Sequence, residues 1–190
     1  MKRIVIGEDQ EKIVPLFWLG ENDREDNLEI VLAGRGARLT LIGLLLGDQD
    51  KVYTNKTAII HAAPQTTSRA IIRGVLSHQA KINFDGLVRI EKGAKQSDAH
   101  MAAHVLLLSR QAKARAVPSL EIDENDVICG HAAAVGKIDE EQLFYLASRG
   151  LSKEQATQLV VQGFFADLMA KLPPSRQVSQ FRRHLLVSRH

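Results

Sequence analysis

The one cysteine of this 190-residue chain, Cys129, stands two positions ahead of His131 in ENDVICGHAAAVGKIDEEQLFYLASRG, residues 124–150. A thiolate and an imidazole are suitable ligands for zinc, iron or an iron–sulfur cluster. On a strand, residues two apart share a face, with roughly 7 Å between their Cα atoms. Two ligands leave a tetrahedral site half filled, so the remainder must come from elsewhere in the fold or from a second chain. The competing reading is a core thiol at a strand end, because free cysteine is among the most buried residue types.

Other residues offer less. His100 and His104 in DAHMAAH are spaced as metal ligands are on a helix, but the adjacent glutamate of the zinc hydrolases is missing. His61 stands isolated in IIHAAPQTTS and reads as structural or as part of a turn. No Gly-x-Ser-x-Gly elbow, Walker A loop or Gly-x-Gly-x-x-Gly turn occurs, so a serine hydrolase or a nucleotide site of those designs is not expected. Asp123, Glu124 and Asp126 sit in a turn-like stretch and lack the rung spacing that a polysaccharide-cleaving β-helix enzyme would need. Arg176, Arg182, Arg183 and Arg189 make the last residues basic; a solvated, poorly ordered terminus is expected there, with phosphate or an acidic partner as the alternative.

The elements that must position these groups change character along the chain. Residues 28–135 consist of short apolar runs, many alternating with period two: LEIVLAG, ARLTLIGLLLG, TAIIHAA, RAIIRGVL, AKINFDGLVRI, HVLLLS, SLEI and DVICGH. Hairpin dipeptides are nearly absent, and the one Asp-Gly, Asp85-Gly86, lies inside an apolar run. Corner turns between stacked rungs, and so a β-helix, are favoured over an antiparallel meander, although no strict repeat is visible. AHMAAHVLLLSRQAKARA is rich in helix formers and is open to a helical reading. After Gly136 the pattern turns helical. Asp139 with Gln142 and Ser152 with Gln155 have capping-box spacing, Gly150 suits a helix stop, and Pro173-Pro174 closes the second helix. Four regions result: an N-terminal segment 1–27, a β core 28–135, a helical region 136–174 and a basic tail 175–190.

With 45% hydrophobic residues the chain can bury a substantial core, and a formal charge of +3 is too small to imply nucleic acid. A lone cysteine forms no internal disulfide, and no apolar run approaches the ~20 residues of a membrane span. The N-terminal MKRIVIGEDQEK is broken by charge before a signal-peptide core develops. A reduced, cytoplasmic protein, with neither membrane nor nucleic acid as partner, is expected.

Three stretches in order resemble the SufB/SufD family of iron–sulfur cluster assembly proteins. HAAPQTTSRAIIRGVLSHQAKINFDGLVRI is similar to its His-x-Ala-Pro-x-Thr-Thr-Ser-Arg, Gly-Val-Leu and Gly-Leu-Val-Arg pattern. DAHMAAHVLLLSRQAKARAVPSLEI is similar to its Asp-Ala-His, Leu-Leu-Leu-Ser and Pro-x-Leu-Glu-Ile segments, and CGHAAAVG with DEEQLFYLASRG to its Cys-Ser-His-Gly-Ala-Thr-Val-Gly and helix motif. The resemblance covers roughly residues 34 to 172. It implies a right-handed parallel β-helix followed by a small C-terminal helical region that docks on a SufC-like ABC ATPase. It further implies pairing through the β-helix, as a homodimer or with a SufB-like chain, and a transient iron–sulfur cluster. Such a chain is an assembly scaffold and not an enzyme, the ATPase supplying ATP hydrolysis.

Residue by residue, His131 matches the SufD-type interface histidine and Cys129 the cysteine two before it, so both are expected to serve as metal or cluster ligands shared across a dimer interface. The interface cysteine of SufB-type chains has no counterpart; an alanine near Ala103 occupies its place. Cys-Gly-His-Ala stands where Cys-Ser-His-Gly is commoner, and family members are usually longer. The alternative is an interaction module of the same fold that has lost cluster chemistry.

Overall fold

The computed structural model describes residues 1–19 and 23–187. Ten strands come first: β1 (Lys2–Ile6), β2 (Glu11–Trp18), β3 (Arg24–Leu32), β4 (Arg38–Gly47), β5 (Val52–His61), β6 (Thr67–Leu76), β7 (Lys81–Ile90), β8 (Ser97–Leu107), β9 (Lys113–Ile122) and β10 (Val127–Lys137). Three helices follow: α1 (Glu140–Ser148), α2 (Lys153–Ala170) and α3 (Arg176–Val187). Consecutive strands alternate between two five-stranded sheets, ordered β1-β3-β5-β7-β9 and β10-β8-β6-β4-β2, and every neighbouring pair is parallel. The chain therefore winds as a parallel β-solenoid of about five turns.

Alternation decides which side chains enter the solenoid. In β5, β6 and β7 every second residue is buried, and Ile59, Ile72, Phe84 and Val88 join the interior core. From Leu41 to Gly47, β4 is buried on both faces. Its run of Leu and Ile, interrupted by Gly43, needs that second cover, because in a parallel sheet a strand packed on both faces reads as near-continuous apolar sequence. Corners turn without hairpins: Asp9, Gln49, Gln65, His78 and Gln96 take left-handed backbone conformations. Their side chains stack between turns, Arg35 Nε donating to Gln65 Oε1 at 2.8 Å and Gln65 Nε2 to Gln96 Oε1 at 2.9 Å. Asp85-Gly86 lies inside β7 and not in a turn.

The turns are unequal. Lys2 stands beside Leu28 but Lys81 beside Lys113, offsets of 26 and 32 residues, which is why no strict period shows in the sequence. One segment differs from its sequence reading: residues 2–18 form the first solenoid turn, although their charges interrupt the apolar pattern. In the Ala- and His-rich segment the strand reading of HVLLLS holds over the helical alternative, as the strand β8 held between β6 and β10. In both cases ladder hydrogen bonds from a neighbouring turn override a weak local preference.

Helices α2 and α3 lie on the outer face of the β10-β8-β6-β4-β2 sheet, where Val161, Phe165, Leu168 and Met169 of α2 meet Phe17, Ile42, Leu44 and Val75 in a second core. Within the basic tail the described residues form α3 and not a solvated coil: Val178, Phe181 and Leu185 put one face of the helix into this core, and Arg176, Arg182 and Arg183 face outward, while Arg189 lies outside the described residues. Arg73 of β6 fastens α2 from beneath, donating to the Phe164 carbonyl at 2.5 Å and pairing with Asp167. That guanidinium holds the Asp167 carboxyl below its ordinary range.

At the helix starts, Asp139 caps α1 by accepting from Glu141 N at 2.9 Å. Ser152 and Gln155 form a complete capping box on α2. Ser152→Ala is expected to lower stability by about 1 kcal/mol, read as a shift of the urea midpoint with an unchanged slope.

Candidate functional site

Cys129 and His131 lie on β10, the last strand of its sheet, whose other edge has no protein partner among the described residues. In a parallel ladder, paired residues stack their side chains on the same face. Cys129 pairs with Ala99 and His131 with Met101, both fully buried interior residues, so the two side chains continue the interior column into the final turn. Cys129 is partly buried and packs against the solenoid core, while His131, one step further along the open end, is exposed. The strand spacing predicted from sequence holds.

Among the described residues no three His, Cys, Asp or Glu side chains converge on a metal-sized site. Cys129 and His131 thus offer half of a tetrahedral donor set from one chain. His100 and His104 are not helical neighbours. Both lie on the outer face of β8, about 13 Å apart at the strand rise, too far to share an ion.

On that outer face Asp98 receives Arg69 at 2.5 Å and has His100 Nε2 3.0 Å away; the Arg69 hydrogen bond is the main reason its carboxyl is held below the ordinary range. His100 lies over the backbone of the neighbouring strand at Gly130. A Cβ there would stand 3.2 Å from His100 Nδ1, so glycine between Cys129 and His131 makes room for this imidazole. Arg69, His100, Gly130 and His131 border a shallow groove of about 270 Å³.

His61 is buried without being a ligand. Its Nδ1 lies 2.7 Å from Thr66 Oγ1 and its Nε2 2.8 Å from Ser68 Oγ, and Thr66 reaches Ser97 of the next turn at 2.8 Å. Burial pushes the imidazole down to about 4. It is the structural residue that its isolation in the sequence indicates.

The helical region carries a second candidate surface. Helix α1 buries no residue, and Phe144 and Tyr145 are 77% and 56% exposed. Helical spacing alone does not reveal this, since one face of α1 is expected to pack.

A family profile described as "SUF system FeS cluster assembly, SufBD core domain" matches residues 2–164. The chain belongs to the SufBD family. Among curated SufBD relatives it is similar to the iron–sulfur cluster assembly protein SufD of Bacillus subtilis, 42% identical over 127 residues, which is 67% of this chain and 29% of that protein. It is also similar to SufD of Escherichia coli, 31% identical over 169 residues, 89% of this chain and 40% of that protein. A SufBD family protein of Staphylococcus epidermidis is 30% identical over 152 residues, 80% of this chain and 33% of that protein. The chain thus spans less than half the length of these SufBD relatives. The profile includes β1 and β2, in keeping with their place in the solenoid. Among the described residues no helix is long and apolar enough to cross a membrane.

Proposed function

We propose that this chain is a cytoplasmic, non-enzymatic scaffold subunit of iron–sulfur cluster assembly. It pairs through the C-terminal end of its solenoid, presents Cys129 and His131 at the seam, and recruits a SufC-like ABC ATPase through the helical region. The observation that carries the pairing is the difference among the four edge strands. Open edges are ordinarily blunted by proline or charge. β2 carries Pro15, Glu11 and Lys12, β9 carries Pro118, Lys113 and Arg115, and β1 carries Lys2 and Arg3. β10 has no proline, and from Val127 to Gly136 no Asp, Glu, Lys or Arg. It is the edge suited to accept another strand.

A two-fold axis across β10 joins two Cys129 and two His131 side chains; a SufB-like partner supplies its own ligands instead. Either completes the donor set that one chain leaves half filled, with the cluster as cargo. Exposed Phe144 and Tyr145 support a protein partner on α1, since large aromatics are enriched in binding hot spots.

Sedimentation velocity and anaerobic loading with iron and sulfide test the reading. The wild-type chain is expected to sediment as a dimer, or as a heterodimer with a SufB-like chain, and to bind iron and sulfide. Ala133→Lys in the β10 edge should give monomers, and Cys129→Ser should lower bound iron at least ~10-fold, as loss of a ligand does. A chain that stays monomeric, holds no iron and forms no complex with the ATPase overturns it. The packing of Cys129 against the core favours a second reading, a module without cluster chemistry. An unreactive thiol in the assembled protein, with Cys129→Ala leaving assembly intact, would support that reading.

A further inference from the structure

We propose that the outward face of α3 is a binding site for a compact polyphosphate anion, a free di- or triphosphate group held between Arg176 and Arg183. The face is separate from the parts used above: α3 lies beyond residues 2–164 of the family match, and includes neither the β10 edge nor any residue of 136–174.

The charge of α3 works against the helix that carries it. Helices α1 and α2 begin with Glu140, Glu141 and Glu154, the sign that the helix dipole favours at that end, whereas α3 begins at Arg176 with no acid in its first turn. From Leu168 to Val187 the chain contains no Asp or Glu at all. Arginines of the solenoid find carboxylates: Arg3, Arg24, Arg69, Arg73, Arg89 and Arg115 each pair with one. Arg176, Arg182 and Arg183 pair with none among the described residues. Like charges gathered on one short helix repel, and an anion from outside relieves that repulsion.

Geometry gathers part of this charge into a site. Arg176, Gln180 and Arg183 follow at i, i+4 and i+7 and so share one face, while Val178, Phe181 and Leu185 lock the other into the second core. The stripe borders a shallow groove of about 410 Å³, lined among the described residues by these three and His184. His184 Nδ1 donates to the Gln180 carbonyl at 2.9 Å, which sets the ring against the groove. Arg176 and Arg183 stand about 10 Å apart along the helix axis, a gap that two long side chains close around an anion, with the Gln180 amide between them. Each guanidinium takes one phosphate through two parallel N–H bonds, so two of them call for two linked phosphates. No apolar or aromatic side chain lines the groove among the described residues, so nothing there reads a base or an acyl chain.

The test is calorimetric titration of the full chain, alone and at low salt, with inorganic pyrophosphate and tripolyphosphate, paired with thermal melts of each variant. One pyrophosphate should bind per chain, about 10-fold more tightly than orthophosphate, and binding should weaken steeply as salt is raised. Arg176→Gln and Arg183→Gln should each weaken it at least ~10-fold. Arg182→Gln removes the same charge from beside the groove and should weaken it less than ~3-fold. All three variants should keep Tm within about 2 °C of the wild type, with Arg176→Gln unchanged or slightly raised, since it relieves a cation at a helix start. Equal losses in the three variants would mean a diffuse counterion cloud and overturn the site, as would a folded wild-type chain that binds no pyrophosphate. Phosphatidylserine vesicles and a short RNA are the competing probes. Capture of either one with no pyrophosphate bound assigns the face to a membrane or a nucleic acid and also overturns the proposal.

Discussion

Phe165→Ala is expected to loosen the helical layer while the solenoid stays folded. Phe165 is fully buried in the second core, its ring 5.1 Å from Phe181 at an interplanar angle of 80° and 5.3 Å from Phe164. Truncating a buried phenylalanine costs about 3–5 kcal/mol, from lost transfer energy plus the cavity left behind. That loss falls on a layer built from α2, α3 and one sheet face, whereas the interior core is a separate cluster including Leu39, Ile59, Ile72 and Phe84. Hydrogen exchange should show α2 and α3 losing protection by a factor of 10² or more, with β5 to β8 little changed. The Arg73–Asp167 pair and the apolar contacts of Val161, Leu168 and Met169 remain to hold α2 loosely on the sheet. Uniform loss of protection across strands and helices would mean instead that the two cores unfold as one unit. If the helical region docks the ATPase, this variant also loses that partner while retaining the β10 edge.

The second large effect is acid sensitivity centred on His61. Its folded-state value, about 4, lies below the ordinary value of 6.5 because burial disfavours the imidazolium. Between those two values the unfolded chain binds a proton that the folded chain does not, so stability rises with pH across the window. Its contribution is complete above about pH 6.5 and is lost as pH falls toward 4. The difference corresponds to about 3 kcal/mol. Burial accounts for the direction: an imidazolium in this pocket would give up its hydration, and that outweighs the opposing pull of Asp98. Urea titrations at closely spaced pH values should show the unfolding free energy falling from pH 6.5 to 4. His61→Gln should be less stable at pH 7, since it disturbs the Thr66–Ser97 link between turns, and should lose most of that slope. An unchanged slope in the variant would assign the acid sensitivity to other groups.

Much of the fold is legible because it is written in near neighbours. Period-two runs mark β5, β6 and β7, a nearly continuous apolar run marks β4, and the caps at Asp139 and Ser152 begin helices that the structure contains. The scarcity of hairpin dipeptides points to corners, and these are formed by single left-handed residues such as Gln65 and His78. Where local signals conflict, the reading weakens. Charges hide the strands of residues 2–18, and Ala102, Ala103 and two histidines give β8 a helical composition. The spacing of Val178, Phe181 and Leu185 does carry the signal of α3, but the arginines between them outweigh it in a reading based on charge.

The site divides in the same way. The sequence alone determines that Cys129 and His131 share a strand face, that these two side chains make up only half of a tetrahedral donor set, and that ordered motifs place the chain with the SufBD proteins. Only the tertiary structure decides that β10 is an open edge, that Cys129 and His131 cap the interior column over Ala99 and Met101, that His100 lies against Gly130, and that Arg176 and Arg183 border an outward groove. The physical reason is distance along the chain. A strand or helix is set by contacts a few residues apart, whereas stacking joins residues 26 to 32 positions apart, as Lys2 with Leu28 and Lys81 with Lys113, at offsets that change from turn to turn. No local pattern encodes that offset; it is set when the turns pack.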